Sequence, residues 1–155
     1  TIASDLVMVI PSATLYHFGI LTSSVHMAWM RTVCGRLKSD YRYSANIVYN
    51  NFPWPDIGER GTGNGGTSKS RSDLLFDVSH ITQTAQSILD ARALYPDSSL
   101  ADLYDELTMP PELRKAHQAN DKAVMQAYGF WGKLNTETEC VAELMKMYQE
   151  LMLRF

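Results

Sequence analysis

The sequence predicts an α+β fold, with short strands and a helix in residues 1–56 and a mainly α-helical bundle in residues 73–155. Short runs of β-branched and apolar residues, of strand length, occur in the first part. Residues 58–72 contain almost no apolar side chain, which is typical of a flexible Gly/Ser-rich linker. Apolar residues then recur three and four apart, as in amphipathic helices. The chain is therefore predicted to have three parts, with the linker at residues 57–72.

The first part is predicted to contain three short strands and one helix. Hydroxyl groups at residues 22–24 can cap the helix, which carries Val25, Trp29 and Val33 four residues apart and ends before Gly35. Between this helix and the last strand, the polar and aromatic residues indicate an exposed extended segment or a turn. The predicted strands are residues 5–10, 13–19 and 47–49, and the predicted helix is residues 25–34.

The second part is predicted to contain four helices. The first is capped by Ser72 or Asp73 and ends near Pro96, and a short helix follows at residues 100–107. The third begins at the proline pair 110–111 and ends at Gly129. Its buried face includes Asn120, where an apolar residue is expected. The last helix carries an apolar stripe formed by Val141, Leu144, Met145, Tyr148, Leu151 and Met152.

The charges are distributed unevenly along the chain. Residues 1–56 hold four basic and three acidic side chains, a net charge of +1, whereas residues 73–155 hold seven basic and thirteen acidic ones, a net charge of −6. The acidic second part would repel phosphates. Any contact with nucleic acid is therefore expected from the first part, where the basic residues cluster between Arg31 and Arg42.

Two further features bear on the class of protein. Cys34 and Cys140 are far apart and form no Cys-x-x-Cys pair, so we expect free thiols in a reducing cytoplasm. No apolar run is long enough to span a membrane, and the first residues form no secretory signal. The start at Thr1, without an initiator methionine, indicates a fragment of a longer chain.

The short catalytic motifs that occur are better explained structurally. Residues 61–66 match G-x-G-x-x-G but lie in the linker, without the strand and helix that a dinucleotide site needs. Residues 51–54, Asn-Phe-Pro-Trp, are superficially like the Asn-Pro-Pro-aromatic loop of amino-methyltransferases, but Phe52 replaces the first proline. The four histidines lack metal-ligand spacing and are expected to be ordinary polar or half-buried residues. We therefore expect no catalytic, cofactor-binding or metal-binding residue here.

The segment 36–43 is the strongest candidate for a binding function. Arg36, Lys38, Asp40 and Arg42 occupy alternate positions, which would share one face of an extended chain, and Tyr41 and Tyr43 lie among them. Three cations and one carboxylate on one face suit base edges and phosphates. A solvated charged strand is the alternative.

At this segment the sequence resembles the end of the target-recognition domain of MmeI-like (type IIL) DNA methyltransferases. Further strings resemble the family's C-terminal helical domain, so the likeness covers nearly the whole chain outside the linker. The first set of strings is residues 21–31, 35–44 and 48–55, and the second is residues 89–92, 100–105, 107–117 and 128–129.

The resemblance implies a parent that transfers a methyl group from S-adenosylmethionine to adenine N6 in a short site of double-stranded DNA. Some members also carry a nuclease and act as combined restriction–modification enzymes. The cofactor and the catalytic loop would belong to a methyltransferase domain outside these residues. That domain would also be a partner of this chain. The alternative is a purely structural helical domain that does not contact DNA.

The resemblance also assigns roles within residues 36–43. It implies that the positions of Lys38, Asp40 and Arg42 read bases, and that the first two vary together with specificity. Lysine has only donors, which suit guanine O6 and N7, and aspartate has only acceptors, which suit cytosine N4. The hypothesis is that Lys38 and Asp40 read one G·C pair. Contacts with the DNA backbone are assigned to Arg36, Tyr41 and Tyr43.

Overall fold

The computed structural model of the protein describes residues 8–37, 40–55 and 70–154. These residues form six α-helices, one antiparallel hairpin and a single turn of π-helix, so the α+β prediction is confirmed. Among them, no helix is long and apolar enough to cross a membrane. The elements are α1 (Leu15–Leu21), α2 (Ser24–Val33), β1 (Gly35–Leu37), β2 (Asp40–Arg42), the π-helix (Ala45–Tyr49), α3 (Arg71–Ala93), α4 (Leu100–Leu103), α5 (Pro111–Tyr128) and α6 (Glu137–Leu153).

The predicted strand at residues 13–19 is wrong, because α1 occupies this position. Thr14 and His17 form a capping box at its start, with the Thr14 amide donating to His17 Nδ1 at 3.2 Å. Tyr16, Gly19 and Ile20 are buried, and their spacing of three and four residues is that of a helix. In a segment of seven residues, the pattern of apolar side chains is too short to distinguish the period of a helix from that of a strand.

The predicted strand at residues 47–49 is also wrong. The π-helix stands there, with the amides of Val48 and Tyr49 both donating to the Ser44 carbonyl. Val48 is fully buried, and its carbonyl accepts a hydrogen bond from Trp29 Nε1 at 3.0 Å. This bond to a side chain takes the place of strand pairing. Of the strand predicted at residues 5–10, positions 8–10 have no regular structure and the others lie outside the described residues.

The predicted helices of the second part are confirmed, with corrected ends. α3 is capped by Ser70, two residues before the predicted cap, and Asp73 completes the capping box at its third position. α4 ends at Leu103 rather than near residue 107. α5 ends at Gly129, whose φ of 73° is the left-handed conformation that glycine favours at a helix end. Residues 58–69 of the predicted mobile linker lie outside the described residues.

The main hydrophobic core is formed by both parts of the chain. Trp29 from α2, Ile81 from α3, Val124 from α5 and Leu144 from α6 are buried in one cluster. A second cluster, which includes Ile88, lies between α3, α4 and α5. The sequence segments on either side of the linker therefore pack against each other.

The apolar stripe predicted on α6 is only partly buried. Leu144 is fully buried, and Cys140, which was not predicted, is also buried. Val141, Met145, Tyr148 and Leu151 are partly exposed. Met152 is 58% exposed, so the stripe leaves the core before the helix ends.

Asn120 is fully buried where α1, α3 and α5 meet. Its Nδ2 donates to the Gly19 carbonyl at 2.8 Å, and its Oδ1 accepts from Thr84 Oγ1 at 3.0 Å. The Gly19 carbonyl lies in the last turn of α1, and the Ser23 amide donates to Ile20 instead. Asn120 thus satisfies a carbonyl that the helix leaves without its usual partner.

Gly19 allows the close contact on which this arrangement depends. A Cβ atom built at Gly19 would lie 2.7 Å from Ile81 Cγ2, 3.0 Å from Asn120 Oδ1 and 3.2 Å from Ala85 Cβ. Such distances are too short for any larger residue without displacement of α1. Asn120, which interrupts the apolar face predicted for α5, is therefore part of the junction between α1, α3 and α5.

We expect Asn120→Ala to lower the free energy of unfolding by about 1–3 kcal/mol, because it leaves the Gly19 carbonyl buried without a hydrogen bond. Urea denaturation measures the change. Gln118→Ala, at an exposed position of the same helix, is the control and should change stability by less than about 0.5 kcal/mol. Equal effects of the two substitutions would contradict the role of Asn120.

Leu144→Ala should lower the free energy of unfolding by about 2–5 kcal/mol, because Leu144 is fully buried and its truncation leaves a cavity. Leu153→Ala, on the same helix but 88% exposed, is the matched control and should have little effect. Thermal unfolding of both variants tests the assignment. A melting temperature unchanged by Leu144→Ala would show that the core face of α6 is misplaced.

Candidate nucleic-acid interface

The segment predicted to bind DNA forms the hairpin of β1 and β2. The strands are antiparallel, with Gly35 opposite Arg42, Arg36 opposite Tyr41 and Leu37 opposite Asp40. This pairing confirms the predicted extended conformation of the described positions. The chain therefore reverses direction between Leu37 and Asp40, which a single extended segment would not do.

This register changes which positions share a face. Cross-strand partners lie on the same face of a hairpin, and so do positions two apart on one strand. Positions 40 and 42 therefore share one face, whereas position 36 shares the opposite face with Tyr41. The backbone pairing thus contradicts the premise of one extended chain, in which positions 36, 40 and 42 would share a face. Lys38 lies outside the described residues.

The two described side chains of β2 are exposed to solvent. Tyr41 is 41% exposed, and the Arg42 side chain is exposed as well. A guanidinium group and a phenol at neighbouring positions of an exposed strand can donate hydrogen bonds to phosphates or to base edges. This part of the hairpin thus has the chemistry and the exposure that a DNA contact requires.

Tyr43, which follows β2 directly, is linked to the interior of the protein. Its hydroxyl lies 2.9 Å from Nε2 of His26, a residue of α2 that is only 2% exposed. The two ring centroids are 5.8 Å apart. Burial and then the neighbouring Tyr49 raise the pKa of Tyr43 to about 12, so its hydroxyl stays protonated at neutral pH. The end of the hairpin is therefore tied to α2 by a neutral hydrogen bond.

His26 is neutral in the folded protein. Its burial lowers its pKa to about 4, since a charged imidazole would lose its hydration there. The Phe52 ring packs edge-on against it, with the centroids 4.5 Å apart. Within the described part of the chain, His26 Nδ1 has no hydrogen-bond partner, so the contact with Tyr43 is the polar interaction of this ring.

We call α2, the π-helix and residues 51–54 the platform, and Tyr43, directly after β2, contacts it through His26. Trp29 of α2 bonds to the π-helix through the Val48 carbonyl, and its ring contacts Phe52 at 6.1 Å between centroids. Asn51 Nδ2 donates to the carbonyls of Asn46 and Ile47 at 3.0 and 3.2 Å. Asn51 and Phe52 therefore hold the platform together, in agreement with the structural interpretation of the Asn-Phe-Pro-Trp string.

The helical part holds the platform through three polar contacts. Asp121 of α5 accepts a hydrogen bond from the Ser24 amide at 2.7 Å, at the start of α2. A carboxylate is favourable at this end of a helix. Glu137 of α6 pairs with Arg31 near the end of α2 at 2.9 Å. The Tyr128 hydroxyl donates to the Pro53 carbonyl at 2.8 Å.

These contacts lie at both ends of α2 and in the chain after the π-helix. They also affect how much positive charge this part of the chain presents to DNA. The Arg31 pair is exposed and so contributes little stability. It does, however, place a carboxylate beside one of the four basic residues of the first part. Burial raises the pKa of Asp121, although the hydrogen bond from Ser24 opposes this shift.

A groove of about 360 Å³ lies beside the contact between His26 and Tyr43. Apart from these two residues its walls are apolar and rich in methionine, a side chain that adapts its shape readily. The groove is lined by Met8, Ile10, Leu21, His26, Met27, Met30 and Tyr43.

The sequence did not distinguish His26 and Asp121 from ordinary polar residues. His26 was expected to be polar or half-buried, and its position next to Val25, on a helix face that carries Trp29, was the available signal. Asp121 gave no signal, because its partner is 97 residues away. In the parts of the chain that the structure describes, no group of His, Cys, Asp and Glu residues could hold a metal ion.

Stability should fall as the pH is lowered from 7.5 to 5. The pKa of His26 is about 4 in the folded protein and near 6.5 in the unfolded chain. Because the unfolded chain binds the proton first as the pH falls below 6.5, the free energy of unfolding is unaffected by His26 above that pH and decreases below it. At about 1.4 kcal/mol per pKa unit, His26 accounts for a loss of about 2 kcal/mol over this range. Urea denaturation at both pH values measures it.

His26→Leu should remove the part of the pH dependence of unfolding free energy that His26 causes. His117, whose pKa is lowered by burial and by Arg92, contributes in the same direction and remains in the variant. An identical pH dependence in the two proteins would contradict the buried, neutral state of His26.

Comparisons with known proteins agree with this arrangement. Residues 1–56 match the model of the MmeI target recognition domain, and residues 76–155 match that of the MmeI C-terminal domain. DNA methyltransferase A of Bacillus subtilis (strain 168) is 38% identical over 151 residues, which are 97% of this chain and 15% of that protein. The structure is similar, with a TM-score of 0.77 and 47% sequence identity, to a chain in the solved complex of the Type IIL restriction–modification enzyme MmeI with DNA, and the match covers 92% of this chain and 17% of that one.

The chain thus spans about one sixth of the length of the two proteins it matches. Its two matched segments meet in one core, and the first of them carries the exposed hairpin. The chain belongs to the MmeI family, of whose proteins it represents the target recognition and C-terminal domains.

Proposed function

We propose that this chain is the DNA-recognition and scaffolding part of an S-adenosylmethionine-dependent DNA methyltransferase that modifies adenine N6. The catalytic domain would lie elsewhere in the parent polypeptide. The observation that carries the proposal is the exposed strand β2, with Tyr41 and Arg42, supported by a buried aromatic platform. A rigid support suits base reading, because bidentate contacts with base edges need fixed geometry.

S-adenosylmethionine would bind to the methyltransferase domain of the parent. In the described residues, Gly19 serves the contact between α1 and α3, and Gly129 ends α5. Neither forms the turn between a strand and a helix that a nucleotide cofactor needs. The residues described here therefore do not fit the cofactor, and we assign no methyl-transfer step to them.

The hairpin would read bases through Lys38, Asp40 and Arg42. Lys38 would donate to guanine and Asp40 would accept from the amine of the paired cytosine. Arg42 is two residues from Asp40 on the same face of β2 and would read a neighbouring guanine or hold a phosphate. Arg36 would contact the backbone from the other face, next to Tyr41.

The helical part would act as the scaffold. Its net charge of −6 disfavours contact with phosphates, and its contacts with the platform come from Asp121, Tyr128 and Glu137. This is the structural function that the sequence offered as an alternative, and here it applies to one half of the chain. The methyltransferase domain of the parent would be the second partner of this scaffold.

The assignment is tested by the double substitution Lys38→Glu with Asp40→Arg in the full-length parent enzyme. It exchanges donor and acceptor, so the preferred G·C pair should become C·G at one position of the site while the other positions stay the same. Sequencing of methylated sites measures the change. Each base contact is worth about 1–3 kcal/mol, or roughly 5- to 150-fold in preference.

A surface ion pair between Lys38 and Asp40 would survive this exchange of charges and leave specificity unchanged with full activity, which would overturn the assignment. Lys146→Glu is the control for the helical part. Its side chain is 65% exposed on α6, and the substitution should leave both affinity for DNA and specificity unchanged.

A further inference from the structure

We propose that Tyr43 is a positioning residue for the recognition hairpin, which acts through its hydrogen bond to the buried His26. The inference rests on the proposed function, since it concerns how the hairpin that reads DNA is held. It replaces the contact with the DNA backbone that the sequence assigned to Tyr43.

The first argument comes from the environment of Tyr43. The ring is 39% exposed, but its hydroxyl points to His26 Nε2 at 2.9 Å, and His26 itself is almost fully buried. A Tyr43 hydroxyl that donates to His26 Nε2 has no second proton for a phosphate, so a contact with a phosphate would break this bond. Breaking it would leave His26 buried with neither ring nitrogen bonded, which is costly.

The second argument comes from the groove beside the bond. Tyr43 lines an open groove together with His26, and the other walls of this groove are apolar and include Met27 and Met30. Apolar walls offer no directional contact to the Tyr43 hydroxyl. Among the contacts that the structure describes for Tyr43, the hydrogen bond to His26 is therefore the one that constrains direction at the end of β2.

The third argument is the rigidity of His26. Its ring packs edge-on against Phe52, and its helix is held by the hydrogen bond from the Ser24 amide to Asp121 and by the buried cluster that contains Trp29 and Leu144. Tyr43 is one residue after Arg42, so a shift of the Tyr43 ring moves the base-reading strand directly. A displacement of about 1 Å is enough to impair contacts that need fixed geometry.

The test uses the full-length parent enzyme and compares methylation of the cognate site with sites that differ by one base pair. Tyr43→Phe keeps the ring but removes the hydroxyl, and His26→Leu removes its partner while keeping the buried position apolar. Each should lower discrimination by about 2- to 10-fold at the base pairs read by the hairpin, and less elsewhere. The double variant should be no worse than either single one, because both substitutions remove the same bond.

The chain offers a matched control and a conservative variant. Tyr104 is 38% exposed, and its hydroxyl lies 2.7 Å from Nε2 of His117 in the helical part. Tyr104→Phe removes this bond, together with the hydrogen bonds that the hydroxyl accepts from Arg92, far from β2 in the sequence, and should leave discrimination unchanged. His26→Gln introduces a side-chain amide that can bond to the Tyr43 hydroxyl, so it should retain part of the discrimination that His26→Leu loses.

Two results would overturn the inference. If Tyr43→Phe weakens binding equally at every site, and does so also in the His26→Leu background, Tyr43 contacts the DNA backbone directly. If none of the variants changes discrimination, the bond does not position the hairpin. In that case the exchange at Lys38 and Asp40 separates the two proposals: a changed specificity upholds the base-reading hairpin alone, and an unchanged one rejects both.

Discussion

The hydrogen bonds of Asn120 fix the junction on which the recognition segment depends. The amide joins α5 to the last turn of α1 and to Thr84 of α3, at a point where Gly19 lets the helices approach closely. α1 is followed by α2 after only two residues, so the position of α1 sets the position of α2. Because a buried amide needs directed partners, it specifies this one arrangement more strictly than apolar packing would.

A series of contacts connects this junction to the hairpin, and the side chains that make them become less buried toward the surface. The helical part fixes both ends of α2, α2 bonds to the π-helix through Trp29, and His26 holds the tyrosine at the end of the hairpin. At the surface end of this series, the described side chains of β2, Tyr41 and Arg42, are exposed. A two-stranded hairpin is marginally stable by itself, so its geometry must come from what it is attached to. The acidic helical part thereby contributes to DNA recognition without the charge that a direct contact would need.

Much of the fold could be predicted because helices with a long apolar face repeat their signal. The helical segments that form α3 and α5, and the glycine at position 129 that ends α5, were predicted correctly from the spacing of apolar residues and from glycine chemistry. The short elements could not be read in this way. α1 has seven residues and the π-helix has five, and what decides their conformation is packing against α3 and the hydrogen bond from Trp29. Propensity is a weak guide at this length, because tertiary contacts override it.

For the candidate site, the sequence by itself determined the location and the chemistry: cations and tyrosines gathered at residues 36–43, apart from the acidic helices. The tertiary structure decided the geometry. It turned this segment into a hairpin, placed position 36 on the face opposite Asp40 and Arg42, and tied Tyr43 to His26. The physical reason is that residue types and local spacing are properties of the chain, whereas the register of a hairpin, the burial of an imidazole and the partner of Asp121 arise only when distant segments pack together.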